Sequence, residues 1–259
     1  MPSYYAHYRF GAKAIPLLPP EVQRSVRRFR PLYDVGLHGP DIFFYHNIFY
    51  RDKLVELGTC YHERTGEDVF APLCKHLRLS PNEAATAYLW GLLTHYCLDS
   101  AVHPFVLEHT GSGEIGHQEL ETEFDRFLLK TDGKAQPNTF DCSGHIRLTD
   151  GECTTVSEFY GPATPTAVKI SVRNMASSLK LLAMPNSDLR RMVESLAGSR
   201  LRQHFMGRTA NKNCAHLDEP MLELFDKALE KFPAMAAALQ AHMAHNAPLG
   251  PLFAVTFNG

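Results

Sequence analysis

The chain has 259 residues, 44% hydrophobic and 21% charged, enough for one large or two small globular domains with a substantial core, which excludes a disordered chain. A formal net charge of −2 excludes the broad basic surface of an obligate nucleic-acid binder. Cysteines 60, 74, 97, 142, 153 and 214 show no CxxC spacing, so they read as reduced core thiols rather than a disulfide frame or a thiolate metal site. Histidine, at 14, is the unusual count.

The opening stretch "MPSYYAHYRFGAK" lacks the apolar run and small-residue cleavage site of a secretory signal, and no later stretch reaches about 18 unbroken apolar residues. A cytoplasmic location is the default expectation. A helix is predicted over 20–31, with "RSVRRFR" as its solvated face. The aromatic run "IFFYHNIFY" (42–50) reads as core, although flat rings also suit a lipid or base pocket. A second helix is expected over 62–78. Ser80, Pro81 and Glu83 then supply an N-cap, a first-turn proline and a capping-box partner. They open a long apolar helix expected to end near His103, because Pro104 disfavours helical geometry at the residue before it.

After the loop "EHTGSGEIG" a further helix starts near His117. Gly, Thr, Pro and Asp make 131–165 the one long irregular segment, an insertion over a site or a linker; "GHIRLTD" within it is a weak strand candidate. Helices are expected over 166–183, 186–197 and 219–245, the last an Ala/Met helix for the core or for self-association. The simplest account is a single all-α domain spanning 1–259.

The chemistry concentrates in "LTHYCLDSAVHPF" (93–105), where His95, Asp99 and His103 recur every four residues and so lie along one helix stripe. Burying them unpaired would cost several kcal/mol, so they need a hydrogen-bonding network or a metal cation. His117, Glu121 and Asp125 repeat the spacing on the next helix, and the two stripes can face each other. Imidazole nitrogen and carboxylate oxygen at i and i+4 are the donor set zinc takes from helices. His7, Asp41 in "LHGPDIFFY" and His62 in "GTCYHERTG" are further donors held by turn-rich stretches or helix starts. Asp125, Glu63 and Asp34 are candidates to orient the imidazoles from behind. Cys97 points to another helix face and reads as packing, while His109, His204, His216, His242 and His245 lack partners at ligand spacing.

Together His7, "HGPDIFFY", "GTCYH" and "HYCLDSAVHP" joined to "HQELE" resemble the zinc-dependent phospholipase C family, whose fold is shared with single-strand-specific zinc nucleases; the likeness covers about residues 1 to 125. The resemblance implies a mainly helical fold with up to three zinc ions at the bottom of a cleft that hydrolyses phosphodiesters. His62, His95 and Asp99 would hold one ion, with Asp41 beside it as ligand or as base for the attacking water. His103, His117 and Glu121 would hold a second. His7 would hold a third, bridged to the first through Asp99.

The chain departs from the family at this third ion. Secreted members use the α-amino group of a mature N-terminal tryptophan as a ligand, whereas here six residues precede His7, and removal of Met1 would offer the secondary amine of Pro2. Two zinc ions are therefore expected, with the third contingent on such a ligand. The expected activity is phosphodiester hydrolysis of the phospholipase C type. The same centre serves a nucleotide or nucleic-acid phosphodiesterase, since the pocket walls decide the substrate. A non-catalytic helical protein with a structural metal clamp is the reading from another class. The sequence sets no oligomeric state.

Overall fold

The computed structural model describes residues 4–47, 50–185, 187–196, 198 and 202–259. Helix accounts for the regular structure among these residues, and the only β pairing is an isolated bridge between Thr65 and Thr256. The all-α expectation therefore holds, and "GHIRLTD" contributes a short 3₁₀ turn (Ser143–His145) rather than a strand.

Helices α1 (Tyr4–Ala14), α2 (Pro20–Arg28) and α3 (Arg30–Gly36) open the chain. The expected 20–31 helix breaks at Phe29, which leaves helical geometry at φ −110°, ψ 42°. A 3₁₀ turn (Gly39–Tyr45) follows. The helix expected over 62–78 is α5 (Gly66–Leu79), and a further helix, α4 (Lys53–His62), precedes it. Each has its own N-cap: the Asp52 carboxylate accepts from the amides of Leu54 and Val55, and Thr65 Oγ1 from that of Asp68.

Helix α6 (Glu83–Thr110) is the axis of the fold. Its N-cap is Asn82, not Ser80, with the Asn82 side chain accepting from the Ala85 amide at 3.2 Å. It also runs through Pro104 for six more residues. Proline removes one donor there, and burial of Val102 and Val106 on either side outweighs that loss. From Ala87 to Leu98 the helix is buried on every face, so it reads as apolar all round.

Helices α1, α2, α3, α5 and α7 (His117–Thr131) pack on α6, as do α8 (Asp150–Ser157) and α11 (Asp218–His245). Helix α8 lies inside the stretch expected to be irregular; the Thr149–Glu152 capping box starts it. Helices α9 (Pro165–Leu182) and α10 (Asp188–Leu196) match the expected spans, except that residues 186 and 197 lie outside the described set. Buried side chains from α1 to the C-terminal Phe257 form one continuous core.

Two close approaches set where the site forms. At the α3–α6 crossing Gly36 faces Gly91, and a Cβ on Gly91 would stand 2.3 Å from the Tyr33 carbonyl oxygen. Only glycine lets the two backbones meet this closely. Three residues later Gly39 takes φ +45° with its α-carbon against the His95 ring, where a Cβ would lie 2.8 Å from Cδ2. The turn carrying Asp41 is thereby laid directly on the histidine stripe of α6.

Candidate metal centre

All eight donors singled out from the sequence come together. His7 arrives on α1, Asp41 on the 3₁₀ turn and His62 as the last residue of α4. His95, Asp99 and His103 come from α6, and His117 and Glu121 from the first turns of α7. They form three groups with ligand atoms inside 4.8 Å of one another: His7, His95 and Asp99; Asp41, His62 and His95; His103, His117 and Glu121.

Asp99 is the hub. Its Oδ1 lies 3.1 Å from His7 Nε2, and its Oδ2 lies 3.2 Å from His95 Nε2, 3.6 Å from His62 Nε2 and 3.9 Å from His103 Nδ1. Asp41 Oδ1 stands 3.0 Å from His62 Nε2. Glu121 Oε1 stands 2.9 Å from His117 Nε2 and 3.6 Å from His103 Nε2. Every member is buried except His117, whose side chain keeps 33% of its surface.

The outer nitrogens are used by the fold. His62 Nδ1 donates to the Gly58 carbonyl at 2.7 Å, His95 Nδ1 to Leu37 at 3.2 Å and His103 Nδ1 to Phe257 at 3.3 Å. Each bond fixes the ring and its tautomer, leaving Nε2 as a lone-pair donor aimed inward. Although the distances are short, His7 Nε2, His62 Nε2, His95 Nε2, His103 Nε2, Asp41 Oδ1 and both Asp99 oxygens make no hydrogen bond of proper geometry. The side chains stand 3.0–3.9 Å from one another without pairing. Buried polar atoms are almost always hydrogen-bonded, so a convergent set of orphans calls for a cation, and these residues fit one. A small cavity of about 20 Å³ touches Asp99, His103 and Glu121 but is otherwise walled by apolar side chains, among them Leu98, Val102, Val106 and Phe124.

The electrostatics agree. Burial opposes ionisation of Asp99, but His95, His103 and His7 outweigh it and hold the carboxyl well below its usual range. Asp41 and Glu121 are likewise held ionised against burial, Asp41 by His62 and His95 and Glu121, at about 2, by neighbours that include His117 and His103. Burial alone would depress His62, yet Asp41 and Asp99 lift it to about 10; burial wins at His95, which falls to about 4. Three buried carboxylates thus demand positive charge, and His62 supplies a proton where no cation does.

Of the residues proposed to orient the imidazoles, Asp125 acts on the backbone that carries one of them. The Asp125 carboxylate accepts from the amides of Tyr5 and Ala6 at 2.9 and 2.7 Å, fastening the start of α1 to α7 and so fixing His7. Glu63 is exposed at the end of α4, and Asp34 pairs with Arg30 at 2.6 Å; neither touches the ligands. Cys97 packs as expected, its thiol donating to the Ala228 carbonyl. The amine of Met1 or Pro2 lies outside the described residues.

Three further neighbours flank the centre. Tyr4 and Tyr45 share a hydrogen bond between their hydroxyls; burial, with the nearby Glu121 and Asp41 charges, raises both phenols, so they stay protonated between the metal groups. Tyr4 is three residues from His7 and Tyr45 four from Asp41, the only hint the sequence offers. Phe257 folds back from the C-terminus, its ring 5.6 Å from that of His62 and 5.7 Å from that of His95. Of "IFFYHNIFY", Ile42, Phe43 and Tyr45 are core, Phe44 packs 5.7 Å from the His62 ring, and residues 48 and 49 lie outside the described set.

No family model, curated protein or solved structure compared with the chain matches it. No helix among the described residues is long and apolar enough to cross a membrane.

Proposed function

We propose that the chain is a zinc-dependent phosphodiester hydrolase of the phospholipase C type, a single domain over 1–259 working in the cytoplasm. The observation that carries this reading is the convergence of eight buried or half-buried donors on Asp99 and its neighbours, their ligand atoms gathered in three groups within 4.8 Å. In this assignment His62, His95, Asp99 and Asp41 hold one ion and His103, His117 and Glu121 a second. His7 holds a third with Asp99, on condition of an additional ligand.

Bound dications would lower the pKa of a coordinated water and neutralise charge building on the phosphoryl oxygens. The chain's own groups do the rest. Asp41, on its glycine-held turn, is placed to accept the proton of an attacking water. Asp99, reaching both the His7 and the His62–His95 sides, sets the spacing of two sites. The protonated Tyr4 and Tyr45 hydroxyls are the available donors to a phosphoryl oxygen lying between the metal groups. Phe44 and Phe257 shield one side of the centre from water and strengthen its electrostatics.

Elemental analysis combined with hydrolysis of a chromogenic phosphodiester tests the reading. Two or more zinc ions with turnover support it. One tightly held ion without turnover indicates a structural clamp instead. Parallel assays on phosphatidylcholine vesicles and single-stranded DNA then choose between the phospholipase and the nuclease.

A further inference from the structure

Helix α10 is amphipathic in the wrong sense for a helix packed on a core. At about 100° per residue, Leu189, Met192, Val193 and Leu196 fall within an arc of about 100°, a compact apolar stripe. That stripe faces out: Leu189 is 55% exposed, Met192 52% and Leu196 78%. The face turned inward is polar. Arg190, the one buried residue of the helix, spans three segments: its Nη1 donates to the carbonyls of Asn138, Leu182 and Met184 at 2.9–3.0 Å and its Nη2 to that of Met206 at 3.0 Å. Its Nε reaches Glu194 at 2.6 Å. A charged hub therefore clamps the helix to the body while its apolar side is left to solvent. Apolar packing among the described residues gives no reason for that orientation.

The surroundings are cationic. Between Glu194 and Asp218 the sequence has no acidic residue, while Arg202, Arg208 and Lys212 stand in the interval. A cavity of about 240 Å³ beside the helix is lined by Arg190, Arg191, Arg208 and Glu194; Arg190 pairs with Glu194 and Arg191 with Asp188 of α10, so Arg208 carries the excess positive charge there. Met206 and Asn138 line both this cavity and a second one that contains Tyr4 and Gln118 beside the metal groups. The two cavities thus share a wall at Asn138 and Met206.

We infer that α10 docks the protein on an anionic phospholipid surface, its Leu189–Met192–Leu196 stripe entering the acyl boundary and the adjacent arginines engaging the headgroup phosphates. Apolar side chains on one face with cations at their flank are what an interfacial helix needs. The basic residues alone would suit nucleic acid equally; the exposed leucines and methionine decide for lipid. This docking does not depend on hydrolysis, and its test uses metal-free protein, so a failed enzyme assignment leaves it standing.

The experiment is flotation with vesicles of phosphatidylglycerol and phosphatidylcholine, against vesicles of phosphatidylcholine alone. The protein floats with the anionic vesicles, and raised salt releases it. The triple substitution Leu189→Ser, Met192→Ser, Leu196→Ser lowers partitioning tenfold or more with the melting temperature unchanged, and Arg191→Glu with Arg208→Glu removes the preference for anionic lipid. If the triple variant does not fold, Met192→Trp serves instead. The native Trp90 is buried and the only tryptophan, so a blue shift on adding anionic vesicles reports insertion at position 192. Absence of flotation, retention of full binding by the triple variant, or no spectral shift overturns the inference. So does a wild-type dimer in sedimentation that the triple variant abolishes, or preferential binding of a single-stranded oligonucleotide.

Discussion

Replacing Asp99 by Asn keeps the shape of the side chain and removes one charge and one donor oxygen where four imidazoles meet, at 3.1 Å (His7), 3.2 Å (His95), 3.6 Å (His62) and 3.9 Å (His103). With free zinc at about a hundred times its dissociation constant, binding stabilises the wild-type fold by about 2.7 kcal/mol. For a chain of this size that is a rise in melting temperature of roughly 5–11 °C. An Asn that no longer bridges weakens binding at this site by about a hundredfold or more, which cuts its share of the stabilisation to about 0.4 kcal/mol, or roughly 1 °C, while the ion on His103, His117 and Glu121 keeps its own share. Differential scanning calorimetry with and without zinc, on samples whose metal content is measured in parallel, reads this directly. Chromogenic phosphodiester hydrolysis by the variant falls to background. A full-sized zinc shift in the Asn variant, or turnover equal to wild type, would refute the bridging role of Asp99.

The His117→Ala variant loses the ion of the His103–His117–Glu121 group and keeps the one on Asp41, His62 and His95, so metal analysis shows one zinc fewer per chain. Asp125→Asn weakens the two amide bonds that tie α1 to α7, lowering metal-free stability by about 2 kcal/mol, and the His7 group becomes the first to lose metal as zinc is titrated down; equal loss from both groups would contradict that link. Burial, reinforced by the Glu123 charge, raises the Asp218 carboxyl to about 7. The folded chain therefore holds a proton on Asp218 that the unfolded chain releases, and the contribution of this group to metal-free stability falls as pH rises from about 4 to 7, then levels off. Asp218→Asn flattens this slope, gaining at most about 4 kcal/mol over wild type at pH 8 and little at pH 4, as read from urea midpoints at the two pH values.

The site was more legible in the sequence than the fold around it. The i, i+4 spacing of His95, Asp99 and His103 is local and survives any packing, and the same holds for His117 and Glu121. What escaped depends on distant contacts. The N-terminus of α1 is held by Asp125, 120 positions away from Tyr5 in the chain, so no local cap announces the helix that carries His7. Pro104 reads as a stop because its local cost is visible, while the burial of Val106 that overrides it is tertiary. Phe257 reaches the His62 and His95 rings only because the chain's end folds back, which periodicity cannot express. For α10 the helical span was legible but its orientation was not: only the burial of Arg190 shows that the apolar stripe faces outward.

The most direct test of the central claim is anomalous diffraction at the zinc edge from crystals grown with the metal. The account predicts one peak about 2.0–2.2 Å from the Nε2 atoms of His62 and His95 and from an Asp99 or Asp41 oxygen, and a second at the same range from His103, His117 and Glu121. A map with no peak among these side chains at saturating zinc, or with zinc bound only elsewhere on the molecule, would contradict it.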